Sequence, residues 1–235
     1  MTVRLFHPRE LKPPEAAPTP TRMRLLHPKE VRTTNLIAET AKAFRFGPRI
    51  SPRRAPYEFY PTPPEATRAL LSAVTFDGPI WEPACGEGHI SKVLKTEGYD
   101  VVSTDLIDYG YGEPGRDFLA ERGARAKHIV TNPPYGRGLA DAFVRHALKL
   151  TAGTGGTVAM LLNITSLCHP RRHAFYLANP PTAIYALDEC ICWPNGDPGQ
   201  ATTTIANQRY CWVVWTPDAP IATTFGWLST RGKPG

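Results

Sequence analysis

The segment Asn132-Pro133-Pro134-Tyr135 holds residue types that suit chemistry on a planar amino group. An exocyclic amine of a nucleobase is a weak nucleophile, because its lone pair is delocalised into the ring. The side-chain oxygen of Asn132 and the carbonyl of Pro133 can accept its two hydrogens and favour the pyramidal nitrogen that attacks. The two prolines fix the backbone, and Tyr135 can stack on a base that has left its duplex. By itself the tetrapeptide is also typical of a plain turn.

A second segment, Glu82-Pro83-Ala84-Cys85-Gly86-Glu87-Gly88, follows a predicted strand and opens a predicted helix. Its glycines, Gly86 and Gly88, let the backbone turn tightly and approach a ligand closely. Asp105 ends the next predicted strand, where a carboxylate can accept hydrogen bonds from both ribose hydroxyls. This order of residues predicts a nucleotide-like ligand at a switch point of the sheet.

The details of this segment separate one cofactor from another. The third glycine of the dinucleotide fingerprint is missing, because Lys92 stands where a helix is already running, which counts against a pyrophosphate. Glu82 suits a ligand with a cationic or amino end. The prediction is therefore S-adenosyl-L-methionine, which has such an end, an adenosine and no phosphate. Asp117 and Phe118 are candidates to bond its adenine amino group and to pack on the ring.

The elements that must position these residues alternate along the chain from residue 57. Strands are predicted over 79–82, 99–104, 126–131, 156–163, 182–187 and 210–216, and helices over 64–74, 88–97, 139–150 and 168–177. Repeated strand–helix units indicate a mostly parallel sheet with helices on both faces, closed by late antiparallel strands. Since the carboxyl ends of the strands form the crevice of such a sheet, both segments should open on the same edge.

Residues 1–56 differ from the rest, and the prediction is a basic, proline-rich arm before a domain over 57–235. The chain carries a net charge of +6, yet residues 1–54 alone carry +8. Such an arm can bind phosphates, or it can be a solvated tail. It also contains a near-repeat, Arg4–Glu10 (RLFHPRE) and Arg24–Glu30 (RLLHPKE), which is a candidate docking motif for a protein partner or oligomer. One short helix is predicted over 34–46.

Other classes of function find less support in the composition. The longest apolar runs are far too short to cross a bilayer, and the N-terminus lacks the apolar core of a secretory signal, so a cytoplasmic protein without membrane contact is expected. The cysteines are odd in number and irregularly spaced, which predicts neither disulfides nor a metal site; they are Cys85, Cys168, Cys190, Cys192 and Cys211.

The two segments, taken together, resemble the class I S-adenosylmethionine-dependent methyltransferases that modify amino groups, and the N6-adenine DNA methyltransferases most. The stretch 60–65, YPTPPE, is similar to the segment that precedes the cofactor loop in that family, and the motif order resembles its gamma arrangement. The arrangement from Tyr57 to Tyr135, with Tyr109-Gly110 after Asp105, also resembles that of small methyltransferases from phages and prophages. The resemblance implies a Rossmann-like class I fold with a seven-stranded, mostly parallel sheet and an antiparallel terminal strand. It implies catalytic roles for Asn132, Pro133, Pro134 and Tyr135, and cofactor contacts at Tyr60, Thr62, Glu82, Pro83, Ala84, Cys85, Gly86, Gly88, Asp105, Leu106, Asp117, Phe118 and Asn132.

One departure from the family leaves the acceptor open. Restriction-type relatives carry a large recognition domain, whereas here recognition would fall to the loop 193–208, to Arg171 and Arg172, to the arm, or to a partner. Trp193 can be a second stacking surface or a core residue. DNA is the expected partner, but adenine in RNA, N4 of cytosine and a protein glutamine amide present the same planar amine. A catalytically silent nucleic-acid-binding module is the alternative outside the enzymes.

Overall fold

The structure is a computed structural model that describes residues 56–197, 208–217 and 222–231 of the 235-residue chain. Apart from Pro56, the predicted arm lies outside the described residues, as do its near-repeat, the predicted helix at 34–46 and residues 198–207 of the predicted recognition loop. Within the described ranges, no helix has the length and apolar character that crossing a membrane requires.

Helices and strands alternate through most of this region. The α-helices are α1 Pro64–Leu71, α2 His89–Thr96, α3 Leu139–Thr151 and α4 Pro170–Ala178. The strands are β1 Ile80–Glu82, β2 Val101–Ser103, β3 His128–Thr131, β4 Val158–Asn163, β5 Ala183–Leu187, β6 Tyr210–Trp215 and β7 Thr224–Leu228. Short 3-10 turns lie at Pro56–Glu58, Phe118–Ala120, Gly136–Gly138, Ile164–Cys168 and Pro194–Gly196.

The strands form one seven-stranded sheet in the order β2-β1-β3-β4-β6-β5-β7. Only β6 runs antiparallel to its neighbours, β4 and β5, while the other pairs are parallel. The predicted α/β class with a mostly parallel sheet is therefore confirmed, and so is the antiparallel pairing of the two late strands.

The prediction of an antiparallel terminal strand is wrong in one respect. The antiparallel strand, β6, lies inside the sheet, and a further strand, β7, follows it along the chain and pairs parallel to β5 at the sheet edge. The sequence does not predict strand β7, because its alternation is reversed: the aromatic residues Phe225 and Trp227 are exposed, while Gly226 is half-buried. A strand is normally recognised by apolar buried positions that alternate with polar solvated ones, and this segment does not show that pattern.

The sheet separates two hydrophobic cores, because side chains alternate between the faces of a strand. In β4, Ala159 and Leu161 join the core under α1 and α2, whereas Val158 and Met160 join the core under α3 and α4. Pro64 suits the first position of α1, where an N–H would lack a helical partner. Helices thus cover both faces, as predicted.

The connectivity creates a crevice at one edge of the sheet. The chain leaves β1 for β2 on one side and then returns to β3 on the other side, so that β1 and β3 are parallel neighbours. The loops after these two strands diverge at this reversal, which is where open α/β sheets bind ligands. The segment 82–88 follows β1 and the segment 132–135 follows β3, so the two predicted segments share this edge.

Candidate active site at the carboxyl edge of the sheet

The side-chain amide of Asn132 is held by a segment that lies about 70 residues earlier in the chain. Its nitrogen, Nδ2, donates to the carbonyl oxygen of Tyr60 at 2.9 Å and to the hydroxyl of Thr62 at 3.1 Å. Both amide hydrogens are therefore used. The orientation of the group is fixed, and the oxygen Oδ1 remains as an acceptor on the opposite side.

The hydroxyl of Tyr135 faces this acceptor. It lies 2.5 Å from Oδ1 of Asn132 and 2.9 Å from the carbonyl oxygen of Leu161. A phenol has a single hydrogen, so the hydroxyl can donate to only one of these two oxygens at a time. Burial raises the pKa of Tyr135 well above its usual value of 10, which keeps that hydrogen in place. The hydroxyl thus points inward, and the ring lies 6.0 Å from that of Tyr210.

The turn after Tyr135 involves a residue that sequence reasoning missed. Pro133 is buried and Pro134 half-buried. A Cβ placed on Gly136 would lie 2.9 Å from the carboxyl oxygen of Glu58, so this acid sits directly above the turn. Glu58 has a φ of 61°, in the left-handed region, and no pattern in the sequence indicates that conformation.

Glu82, the acid before the glycines, is used inside the protein. It is 2% exposed, and Oε2 accepts hydrogen bonds from the backbone N–H of Ser91 at 2.7 Å and from the Ser91 hydroxyl. Ser91 lies in the first turn of α2, whose N-cap, Gly88, has no side chain to bond these amides. The carboxyl of Glu82 therefore caps α2 from β1. Burial raises its pKa to about 8.

Asp105 closes the other side of the glycine loop. Its carboxylate accepts from the N–H of Gly86 at 2.8 Å and from the N–H of Ile107 at 2.9 Å. Burial raises the pKa of Asp105, against the effect of these backbone hydrogen bonds. The predicted neighbourhood of Asp105 and the glycine loop is thus present in the structure. Leu106, the next residue, is an exposed apolar side chain beside this acid.

Aromatic rings of the chain itself cover the two glycines. A Cβ on Gly86 would lie 2.6 Å from the ring of Phe59, and a Cβ on Gly88 would lie 2.4 Å from the ring of Tyr111. Phe59 stacks on Tyr109, with ring centroids 4.5 Å apart and an angle of 19° between the planes. Sequence reasoning assigned the close approach at these glycines to a ligand and missed Phe59 and Tyr111. The aromatic residues grouped at 57–60 and 109–111 are the sequence signal by which these two rings could have been found.

The remaining residues of the glycine loop form a tight turn. The N–H of Gly88 donates to the carbonyl of Cys85 at 2.7 Å. Pro83 and Cys85 are buried, and Ala84 is half-buried. The thiol of Cys85 lies 3.6 Å from the carbonyl oxygen of Tyr111, on the side of the aromatic cover.

Asp117 and Phe118 lie in different surroundings, the first at the surface and the second in the core. Asp117 is exposed, and its carboxylate bonds the N–H of Leu119. Phe118 is 2% exposed and packs edge-on against Trp81 at 5.2 Å, within the core under α3. The same ring lies 4.8 Å from that of Phe143 and 5.0 Å from that of His146. The roles of Asp117 and Phe118 towards an adenine stay predictions.

The structure describes the surroundings of two residues that the sequence predicts to contact nucleic acid, Arg172 and Trp193. Arg172 donates to the carboxylate of Asp141 at 2.5 Å and to the carbonyl of Ser166 at 2.7 Å, so its guanidinium serves an internal network rather than an open phosphate site. Trp193 is half-buried at the start of the turn Pro194–Gly196. The N–H of Asn195 in this turn donates to the carbonyl of Phe59 at 3.1 Å, which joins the start of the predicted recognition loop to the site.

The cysteine pair that follows β5 lies in the core. The sulfur atoms of Cys190 and Cys192 are 4.0 Å apart, and both side chains are buried. Among the described residues, no group of three or more His, Cys, Asp and Glu side chains is arranged to hold a metal ion.

Comparisons with known proteins found likeness in structure alone. No model of a protein family and no curated protein matches the chain. In fold, it is similar to a protein described as a modification subunit of a type I restriction enzyme from Vibrio vulnificus YJ016, with a TM-score of 0.46, 14% identity and coverage of 71% of this chain. It is also similar to a TehB-like SAM-dependent methyltransferase from Corynebacterium glutamicum, with a TM-score of 0.42, 14% identity and coverage of 77%.

A third similar structure is the M protein of the type I restriction enzyme EcoKI, with a TM-score of 0.45, 12% identity and coverage of 65% of this chain. The chain spans 46% of the Vibrio subunit and 42% of the EcoKI M protein, but 97% of the TehB-like protein. The similarity to all three is one of fold.

Proposed function

We propose that this protein transfers a methyl group from S-adenosyl-L-methionine to the exocyclic amino group of a nucleobase, with N6 of adenine in DNA as the leading acceptor. One observation carries the proposal. Both hydrogens of the Asn132 amide are bonded to the segment 60–62, so its oxygen is presented as an acceptor at the sheet edge.

The residues around the glycine loop fit the proposed cofactor. The carboxylate of Asp105 is nearly buried and already oriented by two backbone amides, as a ribose ligand needs to be. The Phe59–Tyr109 stack and the exposed side chain of Leu106 offer flat and apolar surfaces to an adenine. Glu82 lies beneath the loop, where a cationic amino end would favour its ionised form.

The chain's own groups would prepare the amine for attack. Oδ1 of Asn132 and the carbonyl of Pro133 accept its two hydrogens and draw the nitrogen out of conjugation, so that its lone pair becomes available. S-Adenosyl-L-methionine supplies a methyl group on a positive sulfur, and the electron pair of the broken carbon–sulfur bond stays on that sulfur. The methylated nitrogen then loses a proton to solvent, so no strong general base is required.

The hydroxyl of Tyr135 also affects how the amine would bind the oxygen of Asn132. In the structure its hydroxyl competes for the oxygen that the amine would use. When an amine takes Oδ1 of Asn132, the hydroxyl can keep its hydrogen bond by turning its single hydrogen to the carbonyl of Leu161, without moving its oxygen. The site can therefore exchange a bond to its own residue for a bond to the acceptor, and the exchange costs at most about the free energy of one hydrogen bond.

The identity of the acceptor rests on the charge of the chain. The excess of positive charge in residues 1–54 favours a polyanion, because Lys and Arg gain affinity by releasing counterions from phosphates. The alternatives are adenine in RNA, N4 of cytosine and a protein glutamine amide, all of which present the same planar amine. A nucleic-acid-binding module without catalysis is the alternative of a different class.

Mass spectrometry of the nucleosides from each nucleic acid, and of an intact peptide substrate, tests these proposals together. The protein is incubated with methyl-labelled cofactor and, in parallel, with single-stranded DNA, double-stranded DNA, RNA and a glutamine-containing peptide. Labelled N6-methyladenine in DNA is expected. The variant Asn132→Ala should lose about 100-fold or more in rate, the scale of one lost electrostatic contact at a reacting centre.

The matched control is Asn179→Ala, because Asn179 follows α4 and the side-chain hydrogen bond that this change removes runs only to the carbonyl of Phe175. It should keep normal rates. Label in another substrate would reassign the acceptor to that class. Bound cofactor with no label in any substrate would contradict the enzyme proposal and favour the binding module.

A further inference from the structure

Strand β7 forms one edge of the sheet, and among the described residues only β5 pairs with it. The backbone N–H of Thr224 and the carbonyl of Leu228 bond towards the β5 side, at 2.9 Å and 3.2 Å. Backbone groups alternate along a strand, so residues 224, 226 and 228 face β5. Phe225 and Trp227 consequently turn their N–H and C=O groups to the open edge.

The same two residues expose their side chains. Phe225 is 48% exposed and Trp227 is 79% exposed, and their rings lie 5.1 Å apart on one face of the sheet. Residues 222–230 contain no charged residue and no proline. Natural edge strands are usually protected from pairing by lysine, proline or a bulge. Within the part of the chain that the structure describes, this edge therefore has backbone groups without a partner strand, exposed aromatic rings and none of the usual protective residues.

We propose that β7 pairs antiparallel with β7 of a second copy of this chain, about a two-fold axis at Gly226. In this register Phe225 of each copy lies opposite Trp227 of the other copy. The outward N–H and C=O groups of Phe225 and Trp227 then face those of the second copy. Each of the two residue pairs can exchange two N–H···O bonds, which makes four in all. Two aromatic cross-strand pairs form on the face where the rings are exposed.

The residue on the axis fits this arrangement. A Cβ on Gly226 would lie 3.1 Å from the ring of Tyr185, so that ring covers the strand where a side chain would otherwise stand. The two copies of Gly226 would form a non-hydrogen-bonded pair, in which the strands approach most closely. No charge lies on the strand, so the two-fold axis brings no like charges together.

The exposed area of the two aromatic side chains is small compared with the area that stable interfaces bury. With about 150–250 Å² for each aromatic side chain, the exposed fractions correspond to about 300 Å² per copy, or about 600 Å² in all. Stable specific interfaces bury about 1,200–2,000 Å². Backbone pairing and the flanking residues would add to the aromatic area, so we expect a weak dimer that dissociates on dilution.

Sedimentation velocity of the full chain over a wide range of concentrations tests the proposal. A dimer that dissociates on dilution is expected, and Trp227→Lys should weaken it by about tenfold or more by placing two charges across the axis. Leu177→Lys is the matched control, because Leu177 is also an exposed apolar residue, at 69%, but lies on α4. That variant should dimerise like the wild type.

A second pair of measurements separates pairing from misfolding. Phe225→Lys should act like Trp227→Lys, and circular dichroism should show that both variants keep the wild-type melting curve. Hydrogen exchange should slow at the backbone amides of Phe225 and Trp227 as the concentration rises, whereas the amide of Gly226 faces β5 in both states. A wild-type protein that stays monomeric, a dimer that survives both lysine variants, or pairing only with a different protein would overturn the proposal.

Discussion

The hydroxyl of Tyr135 lies 2.5 Å from the side-chain oxygen of Asn132, so the proposed acceptor of the target amine already has a partner inside the protein. The same hydroxyl has a second acceptor, the carbonyl of Leu161, at 2.9 Å. The Asn132 amide is thus held on both sides, with its nitrogen bonded to Tyr60 and Thr62 and its oxygen bonded to Tyr135.

Removing the hydroxyl should make the acceptor easier to bind. In Tyr135→Phe the amine no longer competes for Oδ1 of Asn132, so KM for the nucleic acid should fall by up to about tenfold, the scale of one hydrogen bond. Tyr135→Ala removes the ring as well and should lower kcat. Steady-state kinetics with both variants check this. A rise of KM in Tyr135→Phe would mean that the hydroxyl helps to bind the substrate.

Thr62 should act as a positioning residue for Asn132. Thr62→Val removes one of the two bonds that orient the amide, and kcat should fall by roughly tenfold, as expected for one hydrogen bond. Thr62→Ser keeps the hydroxyl and should restore the rate. Because the resemblance implies a cofactor contact at Thr62, cofactor affinity is measured by calorimetry. A loss of affinity with unchanged kcat would assign Thr62 to the cofactor instead.

Gly86 should be intolerant of any side chain. Its φ is 52°, in the left-handed region, and a Cβ would also meet the ring of Phe59 at 2.6 Å. Gly98 is a matched control, with a φ of 92° and no atom within 4 Å of its Cβ position. Gly98→Ala should cost only the backbone strain, about 1–2 kcal/mol. Gly86→Ala should cost more stability and weaken cofactor binding as well. Equal melting temperatures and equal affinities would contradict the packed arrangement.

The stability of the protein should depend on the ionisation of Glu82. Burial raises its pKa to about 8 in the folded state, whereas an unfolded glutamate has a pKa of about 4.3. The folded state therefore prefers the protonated carboxyl, and this contribution is lost as pH rises from about 4.3 to about 8. In Glu82→Gln this loss should disappear. Urea unfolding of both proteins at several pH values checks it, and parallel curves would show that Glu82 does not titrate in this range.

His128 should give the opposite pH dependence. Its Nδ1 accepts from the N–H of Thr157 at 2.9 Å, and burial lowers its pKa in the folded state. Since an unfolded histidine has a pKa of about 6.5, stability should fall as pH drops below that value, because the unfolded chain then binds the extra proton. His128→Asn keeps an acceptor near Nδ1 but does not titrate. Its unfolding free energy relative to wild type should rise between neutral pH and pH 5, and a constant difference would exclude His128 as the group responsible.

The sequence by itself determined the order of the elements and the edge at which the two chemical segments meet. Glycines after β1, an acid after β2 and Asn132 after β3 lie at strand ends, and parallel neighbouring strands place their carboxyl ends together. These are consequences of local pattern and connectivity, which is why the helices and six of the seven strands were found with errors of only a few residues at their ends.

The tertiary structure decided which groups are bonded to one another. The partners of the Asn132 amide are about 70 residues away, and Phe59 reaches Gly86 only after the chain folds back over the loop. Phe118 became a core residue because rings from other elements surround it. β7 and its exposed rings depend on pairing with β5. Such contacts join distant positions through packing in three dimensions, and no spacing in the sequence records them.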